Sequence, residues 1–371
     1  MDQNQKKFYV QTTEDQFTGS RTIVFPKYVK EHKLRHQIVH GFIAVVFGIS
    51  VPYFLIDFSH RVYRYFVPLP VQATNVAPFV NQGSNDVATT TEDTTTSNGV
   101  QEIINPEQKG QYYFTGSNYK IPTVSADAYV VADIDTGEVI IDKNPDKIYP
   151  IASVSKLITA VVAKENMDQT AAVTVNRSSI ETYGTSGGLR EGEKIRVSDL
   201  YYPLLMESSN DAAVVFAYGY PDGYDAFVKK MNDTVAFLGM AETTFVEPSG
   251  LSEKNVSSAK DLQILMRYIT KKHPDIWDIT RVKQYSILNH TWGDGSSIAK
   301  KSTFIGGKNG FTYEAHTTTA SLFTLPVEGG TRRIAISLLM SDSREADVDA
   351  LIRFVTKWVG YLPEGAKLPN S

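Results

Sequence analysis

Hydrophobic residues dominate one long stretch of this 371-residue chain and form a later series of shorter periodic patterns. The run, IVHGFIAVVFGISVPYFLI, covers residues 38–56 and contains no Asp, Glu, Lys or Arg. A helix needs roughly 20 apolar residues to cross the hydrocarbon core of a bilayer, so the run predicts one transmembrane helix. A buried core helix and a cleaved signal peptide are the alternatives, although the polar segment before the run is long for a signal peptide.

The charges on the two sides of this run predict its orientation. Residues 1–37 are polar and carry several lysine and arginine residues just before the run, and fewer basic residues follow it. Because the more basic side of a membrane span stays inside the cell, residues 1–37 are expected to form a cytoplasmic segment. The remainder of the chain would then lie outside the membrane.

Residues 71–101 have the composition of a flexible tether. The segment VQATNVAPFVNQGSNDVATTTEDTTTSNGVQ is rich in Thr, Asn, Ser and Gln and poor in large apolar residues. Such a segment cannot bury enough apolar surface to offset the entropy that is lost on ordering. We therefore predict a disordered linker over residues 57–110, a folded domain over 111–365 and a short tail over 366–371.

Patterns typical of strands and helices begin near residue 111. AYVVADIDTGEVIID alternates apolar and polar residues around a Thr-Gly turn at 136–137, which predicts a β-hairpin. Ser198 and Asn210, or a neighbour of Asn210, are the predicted N-caps of two of the helices that follow. The predicted helices are IASVSKLITAVVAKE, SDLYYPLLMES, NDAAVVFAYGY, YDAFVKKMNDTVAFLGM and AKDLQILMRYIT.

The last part of the domain returns to strand patterns and then closes with a helix. TTASLFTLPV and TRRIAISLLM flank the turn EGG and predict a second hairpin. ADVDALIRFVTKWVGYL predicts an amphipathic helix that packs on the sheet. The order of strands, helices, strands and a helix favours an α+β fold, with an antiparallel sheet and helices on its faces, over a wound βαβ fold.

Composition and charge exclude several classes of function. The net charge is −4, and no basic stripe with interleaved aromatic residues is present, so nucleic-acid binding is not expected. The chain contains no cysteine, which excludes disulfides, cysteine-ligated zinc and a cysteine nucleophile. Neither a metal nor a cofactor is expected.

Ser153 and Lys156 are the first candidate pair for chemistry. Residues i and i+3 share one face of a helix, so both side chains can project into one cleft. A serine is a weak nucleophile until a base removes its proton, and a lysine is such a base only when burial or a nearby cation lowers its pKa. The structural alternative is that the two residues are simply polar residues in the first turn of a helix.

The Ser-x-x-K pattern alone is not specific, because it recurs at 117–120, 257–260 and 297–300. Ser117 and Ser297 lie in polar loop sequence, and Ser257 sits at a predicted N-cap, where its structural role is clear. Ser153 differs from these three because a long apolar helix follows it.

Two further motifs contain polar residues suited to a substrate site. Ser208 and Asn210 lie between two predicted helices, where a hydroxyl can relay a proton and an amide can bind a peptide carbonyl. Lys308 precedes Asn309 and Gly310 on a predicted strand, and the glycines around it would let a ligand backbone approach closely. A helix-capping pair and a solvated turn lysine are the corresponding structural alternatives.

The order of these motifs, S-x-x-K, S-x-N and K-x-G, resembles that of the penicillin-interacting serine DD-peptidases. The specific resemblance is to the low-molecular-mass D-alanyl-D-alanine carboxypeptidases, and it covers roughly residues 112–362. The sequences around the motifs are similar to those of the family as well: AYVVADIDTGEVIIDKNPDKIYPIASVSKLITA, SGGLREGEKIRVSDLYYPLLMESSNDAA, TTFVEPSGLSEKNVSSAKDL and GGKNGFT.

The resemblance implies a fold and a role for each motif residue. The implied fold is the five-stranded antiparallel sheet of β-lactamases and DD-peptidases, flanked by helices, with a helical lobe that carries the second motif. The implied roles are Ser153 as the acylated nucleophile, Lys156 as its base, Ser208 as a proton shuttle, Lys308 as the partner of the substrate carboxylate, Asn210, Asn309, Gly310, Phe311 and Thr312 as substrate-binding residues, and the N–H groups of Ser153 and Phe311 as the oxyanion hole.

The resemblance also implies a substrate and a place of action. The substrate would be a peptidoglycan stem peptide that ends in D-Ala-D-Ala, and β-lactams would be covalent inhibitors. The enzyme would act at the outer face of the cytoplasmic membrane of a bacterium, anchored through residues 38–56. A DD-endopeptidase, a β-lactamase and a non-catalytic peptidoglycan-binding protein are alternatives on the same fold.

Two positions depart from the family pattern. Asn309 stands where the family has Thr or sometimes Ser, whose hydroxyl helps to bind the substrate carboxylate. An amide can also donate a hydrogen bond, but with a different reach, and this departure favours the non-catalytic alternative. Glu247 stands where the family tends to have Asn, and it resembles the deacylating glutamate of class A β-lactamases, although VEPSGL lacks their local pattern.

Overall fold

The computed structural model describes residues 12–14, 21–23, 110–293 and 295–366 of the chain, which divides into two compact units, Met1–Val87 and Ala88–Ser371. In the first unit, strand β1 (Thr12–Glu14) pairs antiparallel with β2 (Arg21–Ile23). The predicted membrane span at 38–56, nearly all of the predicted linker and the tail from 367 lie outside the described residues. Within the described ranges, none of the helices is both long and apolar enough to cross a bilayer.

The second unit contains thirteen strands among the described residues. In chain order they are β3 (Gly110–Phe114), β4 (Ala128–Asp133), β5 (Val139–Lys143), β6 (Tyr149–Pro150), β7 (Ala172–Thr174), β8 (Lys194–Arg196), β9 (Val256–Ser257), β10 (Gln284–Ile287), β11 (His290–Gly293), β12 (Phe304–Thr312), β13 (His316–Val327), β14 (Gly330–Ser341) and β15 (Val359–Pro363).

In the sequence, all but the last of its described helices lie between β5 and β12. In chain order they are α1 (Lys156–Asn166), α2 (Arg177–Ile180), α3 (Val197–Met206), α4 (Asn210–Gly219), α5 (Gly223–Phe237), α6 (Ala259–Lys272), α7 (Asp275–Ile279) and α8 (Arg344–Trp358), with 3₁₀ turns at Ala152–Ser155 and Ile298–Lys300.

The main sheet has five strands in the order β12-β13-β14-β4-β5, and every neighbouring pair is antiparallel. Both hairpins predicted from the alternating patterns are present, as β4–β5 and β13–β14. In the first turn, the Asp133 carboxylate accepts from the N–H groups of Asp135 and Thr136, and Gly137 takes the left-handed conformation that the turn requires. Strand β12 lies at the edge of this sheet.

Alternate residues of β4 face two separate apolar cores. Val130 and Ala132 belong to the core shared with helices α1, α3, α4, α5 and α6, whereas Tyr129 and Val131 belong to the core beneath α8. This division follows from the two-residue period of a strand. Helices cover both faces of the sheet, which confirms the predicted α+β sandwich.

Helix α8 packs on the second face as its amphipathic pattern predicts, with Leu351 and Val355 in the same apolar core as Phe323. The end of the predicted helix is wrong, however. The helix ends at Trp358, and the following residues form β15, which pairs antiparallel with β3. A helix pattern that extends through VGYL cannot reveal this pairing, because the partner strand lies at the other end of the domain.

The predicted helix caps were right in one case and wrong in two. Ser209, the neighbour of Asn210, caps α4 by accepting from the N–H of Ala212 at 2.9 Å. Ser198 lies inside the first turn of α3, because strand β8 runs straight into this helix and leaves Arg196 at the cap position. Ser258, and not Ser257, caps α6.

Candidate active site

A 3₁₀ turn places Ser153 at the entrance of helix α1. The turn Ala152–Ser155 leads directly into α1, and Ala152 has a φ of +47°, a left-handed conformation that is rare for a residue with a side chain. Such backbone strain is concentrated at functional sites, where the surrounding structure holds it in place. Ser153 is partly exposed, whereas Lys156 is fully buried, so the pair connects solvent with the protein interior.

The amino group of Lys156 is surrounded by three acceptors. Its Nζ atom donates to Ser153 Oγ at 2.9 Å, to Asn210 Oδ1 at 2.8 Å and to the carbonyl oxygen of Ser249. These three acceptors match the three N–H bonds of a lysine ammonium. When one proton leaves, the resulting lone pair can face Ser153 Oγ, which is the geometry that a base for this serine requires.

Burial lowers the pKa of Lys156 well below its ordinary value, and the nearby charge of Lys308 lowers this pKa further. The carboxylates of Glu247 and Asp211 act in the opposite direction. A lysine can act as a base only when its pKa is lowered, and the buried position of Lys156 meets this requirement. Lys156 therefore gives up its proton more readily than an exposed lysine.

The second motif lies where helix α3 gives way to helix α4. Ser208 has a φ of +64°, and its hydroxyl accepts a hydrogen bond from Lys308 Nζ at 2.9 Å. Asn210 opens helix α4, and its amide bridges two elements: Oδ1 accepts from Lys156, and Nδ2 donates to the carbonyl of Tyr183 at 2.8 Å. Asn210 therefore links the second motif to the first, and Ser208 links it to the third.

The buried carboxylate of Asp211 fixes the loop that faces this motif. It accepts hydrogen bonds from the Ser186 hydroxyl at 2.8 Å, from the N–H of Gly187 at 2.7 Å and from the Ser209 hydroxyl at 2.6 Å. The loop that carries Tyr183 and Ser186 is therefore tied to the first turn of α4. This restraint holds the acceptor for the Asn210 amide in place.

Strand β12 passes so closely over the turn Ala152–Ser155, called the nucleophile turn because Ser153 is the expected nucleophile, that a glycine is required at position 310. A Cβ atom added at Gly310 would lie 2.9 Å from both the carbonyl oxygen of Ile151 and the Cβ of Ala152. Contacts below 3.0 Å are essentially never made by real Cβ atoms. The third motif therefore contains glycine for a packing reason, and the close approach brings the backbone of Phe311 near Ser153.

The amide of Asn309 links its strand to two neighbouring elements. Its Nδ2 donates to Ser296 Oγ at 2.7 Å, and its Oδ1 accepts from Thr319 Oγ1 at 2.8 Å. Thr319 lies opposite Asn309 on β13, and Ser296 precedes the 3₁₀ turn Ile298–Lys300. Both ends of the amide thus have partners within the protein, and Asn309 connects the sheet to the loop that forms one side of the cleft.

A cavity of about 580 Å³ opens between these elements. Ser153, Ser208, Lys308, Asn309, Gly310 and Phe311 all line it, whereas Lys156 and Asn210 lie behind its wall. Thr312, also predicted to bind substrate, lies outside the lining, and its hydroxyl accepts from the N–H of Ala315. The other lining residues are Thr185, Leu205, Met206, Glu207, Thr280, Gly293, Gly295, Ser296, Ser297, Ala299, Phe304, Gly307 and Arg344.

Three polar residues of the cleft had no signal in the sequence. Arg344 lines the cavity at the start of α8, and its guanidinium donates to the carbonyl of Gly310 at 3.2 Å and to the Glu345 carboxylate at 2.9 Å. Ser296 borders the cavity beside Asn309, and the Ser249 carbonyl accepts from Lys156. None belongs to a short motif, so only the folded chain brings them to the site.

The carboxylate of Glu247 is occupied by its own loop. It accepts from the N–H groups of Ser249 at 2.7 Å and Gly250 at 2.6 Å, from the Ser249 hydroxyl at 2.6 Å and from Asn255 Nδ2 at 2.9 Å. Glu247 therefore shapes the loop that presents the Ser249 carbonyl to Lys156. Gly250 packs directly on the nucleophile turn, since a Cβ there would lie 2.0 Å from the carbonyl oxygen of Ala152.

Comparison with known proteins agrees with this geometry. The sequence is 37% identical over 166 residues to a D-alanyl-D-alanine endopeptidase of Escherichia coli, which covers 44% of this chain and 53% of the relative. It is 38% identical over 197 residues to the D-alanyl-D-alanine endopeptidase of Pseudomonas aeruginosa, covering 50% of this chain and 63% of the relative. The chain thus spans between half and two thirds of the length of these curated relatives.

A solved structure and a family profile cover more of the domain. The crystal structure of a D-alanyl-D-alanine carboxypeptidase from Mycobacterium tuberculosis matches with a TM-score of 0.58 and 26% identity, over 64% of this chain and 94% of that one. The profile of the D-alanyl-D-alanine carboxypeptidase family matches residues 115–340, which include all three motifs. Together with the sheet order and the clustered motifs, this match over more than half of the chain shows that the protein belongs to the D-alanyl-D-alanine carboxypeptidase family of penicillin-binding serine peptidases.

Proposed function

We propose that this protein removes the terminal D-alanine from peptidoglycan stem peptides through an acyl-enzyme on Ser153. The observation that carries the proposal is the contact of 2.9 Å between Nζ of the buried Lys156 and Oγ of the partly exposed Ser153, in which burial lowers the pKa of the lysine. Family membership supports the same reaction class, because curated relatives are named as carboxypeptidases and as endopeptidases.

In the acylation step, neutral Lys156 takes the proton of Ser153 as Oγ attacks the carbonyl carbon of the penultimate D-alanine. The negative charge on the carbonyl oxygen is stabilised by the backbone N–H groups of Ser153 and Phe311. Donors of this kind are each worth about 3–4 kcal/mol of transition-state stabilisation in other serine peptidases. The close packing of Gly310 on the nucleophile turn supports this pairing of N–H groups.

Collapse of the tetrahedral intermediate breaks the peptide bond and leaves an ester on Ser153. The proton that Lys156 took from Ser153 passes by way of the Ser208 hydroxyl to the departing amine, so Lys156 is neutral again; the Ser208 hydroxyl is held by a hydrogen bond from Lys308. Water then attacks the ester, Lys156 accepts the water proton, and the shortened peptide leaves with a new carboxylate. The proton returns to Ser153, so the enzyme is restored.

The positive end of the cleft orients the substrate. Lys308 lines the cavity next to Ser208 and supplies a cation for the terminal carboxylate of the peptide. Arg344 adds a second cation on the same cavity. Asn210 lies behind the cavity wall, where its contacts with Lys156 and the Tyr183 carbonyl would hold the base in position beside Ser153.

The direct test is the intact mass of the full chain after incubation with benzylpenicillin. The expected result is a mass increase of one penicillin, located on Ser153 by peptide mapping and absent from Ser153→Ala. Ser117→Ala is the matched control, because Ser117 also starts a Ser-x-x-K sequence but lies exposed in a loop. Release of D-alanine from a pentapeptide should follow the same pattern. A folded protein without an adduct would favour a non-catalytic peptidoglycan-binding role.

Cleavage of cross-links is the second candidate function, and a specific observation favours it. The two relatives at 37% and 38% identity are named D-alanyl-D-alanine endopeptidases, whereas relatives named carboxypeptidases match at 27–30%. The same residues would perform the same acylation with a longer leaving group. Rates on a linear pentapeptide and on a cross-linked muropeptide dimer, measured with one preparation, separate the two activities.

We also propose that residues 38–56 anchor the enzyme so that the domain acts at the outer face of the cytoplasmic membrane. The support is the uncharged apolar run together with the basic residues that precede it. The full chain should stay with membranes during an alkaline carbonate wash and should be accessible to protease added from outside spheroplasts. Release by the wash would remove this proposal without affecting the catalytic one.

A further inference from the structure

A second, smaller cavity adjoins the cleft on the far side of Phe311. It has a volume of about 180 Å³, and Phe311 lines both cavities. The remaining lining residues are Tyr313, His316, Thr317, Ser341 and Asp342. The proposed reaction as described above uses none of these side chains.

The walls of this cavity combine two exposed aromatic rings with a carboxylate. Phe311 is 61% exposed and Tyr313 is 86% exposed, and their ring centroids lie 6.0 Å apart in an edge-on arrangement. Large aromatic side chains with such exposure, side by side at the rim of a cleft, form a contact surface for a ligand. The surface would suit an aliphatic chain, and its ring faces would also attract a cation.

Asp342 supplies the charge of this cavity. Its side chain is 76% exposed, and Oδ1 lies 3.1 Å from Nδ1 of His316, which lines the same cavity. The main-chain N–H of Asp342 donates to Ser125 Oγ, which fixes the position of the residue without using its carboxylate. The cavity therefore offers an anionic group beside apolar rings, a combination that fits a side chain with an aliphatic stem and a terminal amine.

The direction of the bound peptide brings one particular residue to this cavity. In the proposed function, the terminal carboxylate lies at Lys308 and the scissile carbonyl lies at the N–H of Phe311. The peptide then runs along the edge strand β12, and the residues that precede the scissile bond continue beyond Phe311 towards Tyr313. Because an extended chain rises about 3.3 Å per residue, the residue before the D-Ala-D-Ala pair arrives at the second cavity.

We propose that this second cavity is the subsite for the stem-peptide residue before D-Ala-D-Ala, and that Asp342 selects a side chain that carries a terminal amine. The inference rests on the proposed function for the direction of the peptide. It adds a specificity determinant: stems whose side-chain amine is underivatised bind better than stems in which that amine is acylated.

The test compares two tripeptides that differ only in the side-chain amine. One is Nα-acetyl-L-Lys-D-Ala-D-Ala, and the other carries a second acetyl group on the lysine side chain. Near pH 7 the underivatised amine is positively charged. Exposed ion pairs contribute up to about 1 kcal/mol, so the full-length enzyme should favour the charged peptide about fivefold in kcat/KM. Calorimetry on Ser153→Ala should give a similar ratio of dissociation constants.

Variants at Asp342 make the test specific. Asp342→Asn should bring both ratios to about 1, and Asp342→Lys should reverse the preference. Asp146→Asn is the matched control, because Asp146 is an exposed carboxylate that lines neither cavity, and it should keep the wild-type ratio. A wild-type ratio of 1, or a preference that survives Asp342→Asn, would overturn the proposal.

The two readouts separate this inference from the proposed function. If neither peptide is hydrolysed but Ser153→Ala still binds the charged peptide more tightly through Asp342, the subsite stands and the catalytic proposal fails. If both peptides are hydrolysed at equal rates and bound with equal affinity, the catalytic proposal stands and the subsite is wrong.

Discussion

The Nζ atom of Lys156 lies 2.9 Å from Oγ of Ser153 and is fully buried. Replacing this lysine by methionine keeps most of the buried volume but removes the amine that we propose as the base. We expect Lys156→Met to lower the rate of acylation by benzylpenicillin about 10²- to 10⁴-fold, the usual contribution of a positioned base. Stopped-flow or gel-based acylation kinetics measure this rate.

Lys164→Met on the same helix is the control for that variant. Lys164 lies at the other end of α1, where it pairs with Asp275, and acylation should proceed at close to the wild-type rate. If Lys156→Met, folded as judged by circular dichroism, were acylated as fast as the wild type, another group would have to be the base.

The pH dependence of acylation tests the charge of Lys308. Burial lowers the pKa of Lys156, and the neighbouring positive charge of Lys308 lowers this pKa further. Without that charge the pKa rises, less of the base is neutral at any given pH, and the rising limb of the profile moves to higher pH. We therefore expect this shift in Lys308→Gln, measured as the acylation rate at saturating benzylpenicillin so that weaker binding does not interfere. A limb that stays in place, or moves to lower pH, would contradict the assignment.

Gly310→Ala should disable the site through packing. The added Cβ would lie 2.5 Å from Thr318 Oγ1 and 2.9 Å from the carbonyl oxygen of Ile151, so β12 or the nucleophile turn must move. A displacement of about 1 Å at a reacting group can cost about 10²-fold in rate, and we expect a loss of at least this size in acylation. Removing the hydroxyl in the double variant Gly310→Ala with Thr318→Ala should not restore the rate, because the contact with backbone remains. Recovery would show that the hydroxyl alone was the obstacle.

Asn309→Ala should weaken the loop that carries Ser296. The substitution removes the hydrogen bond that Asn309 donates to Ser296 and the one that it accepts from Thr319, at about 1 kcal/mol each in free energy of unfolding. We expect a lower melting temperature and a higher KM for the peptide, with a smaller change in kcat. Asn309→Thr, which introduces the residue typical of the family, provides the opposite test. If Asn309 disabled the site, this variant would be acylated faster than the wild type, whereas we expect no gain.

Glu247→Gln should affect stability and leave the fate of the acyl-enzyme unchanged. The carboxylate accepts from two backbone N–H groups, a hydroxyl and Asn255, and an amide can replace only part of these bonds. We expect a loss of about 1–3 kcal/mol in the free energy of unfolding, measured by denaturant titration. The penicilloyl-enzyme should decay at the wild-type rate. Slower decay at unchanged acylation would instead support a deacylating role of the kind found in class A β-lactamases.

The elements with a local pattern could be predicted from the amino-acid sequence. The hairpins β4–β5 and β13–β14 follow from alternation around short turns, and the helices follow from apolar spacing. The three motifs were also visible, because each needs only two or three residue types at a fixed short spacing. Their order along the chain was enough to indicate the family, and with it the five-stranded sheet.

The distant groups that meet at the site could be identified only in the folded chain. Three features of the site bring together segments that are far apart in the sequence and share no motif. They are the contact of the Ser249 carbonyl with Lys156, the hydrogen bond from Asn309 to Ser296, and the second cavity beside Phe311. The strand pairing of β3 with β15 is of the same kind. The pKa of Lys156 depends on all of its surroundings at once, since burial and the charges of remote residues act on it together, and a linear pattern of residues contains neither quantity.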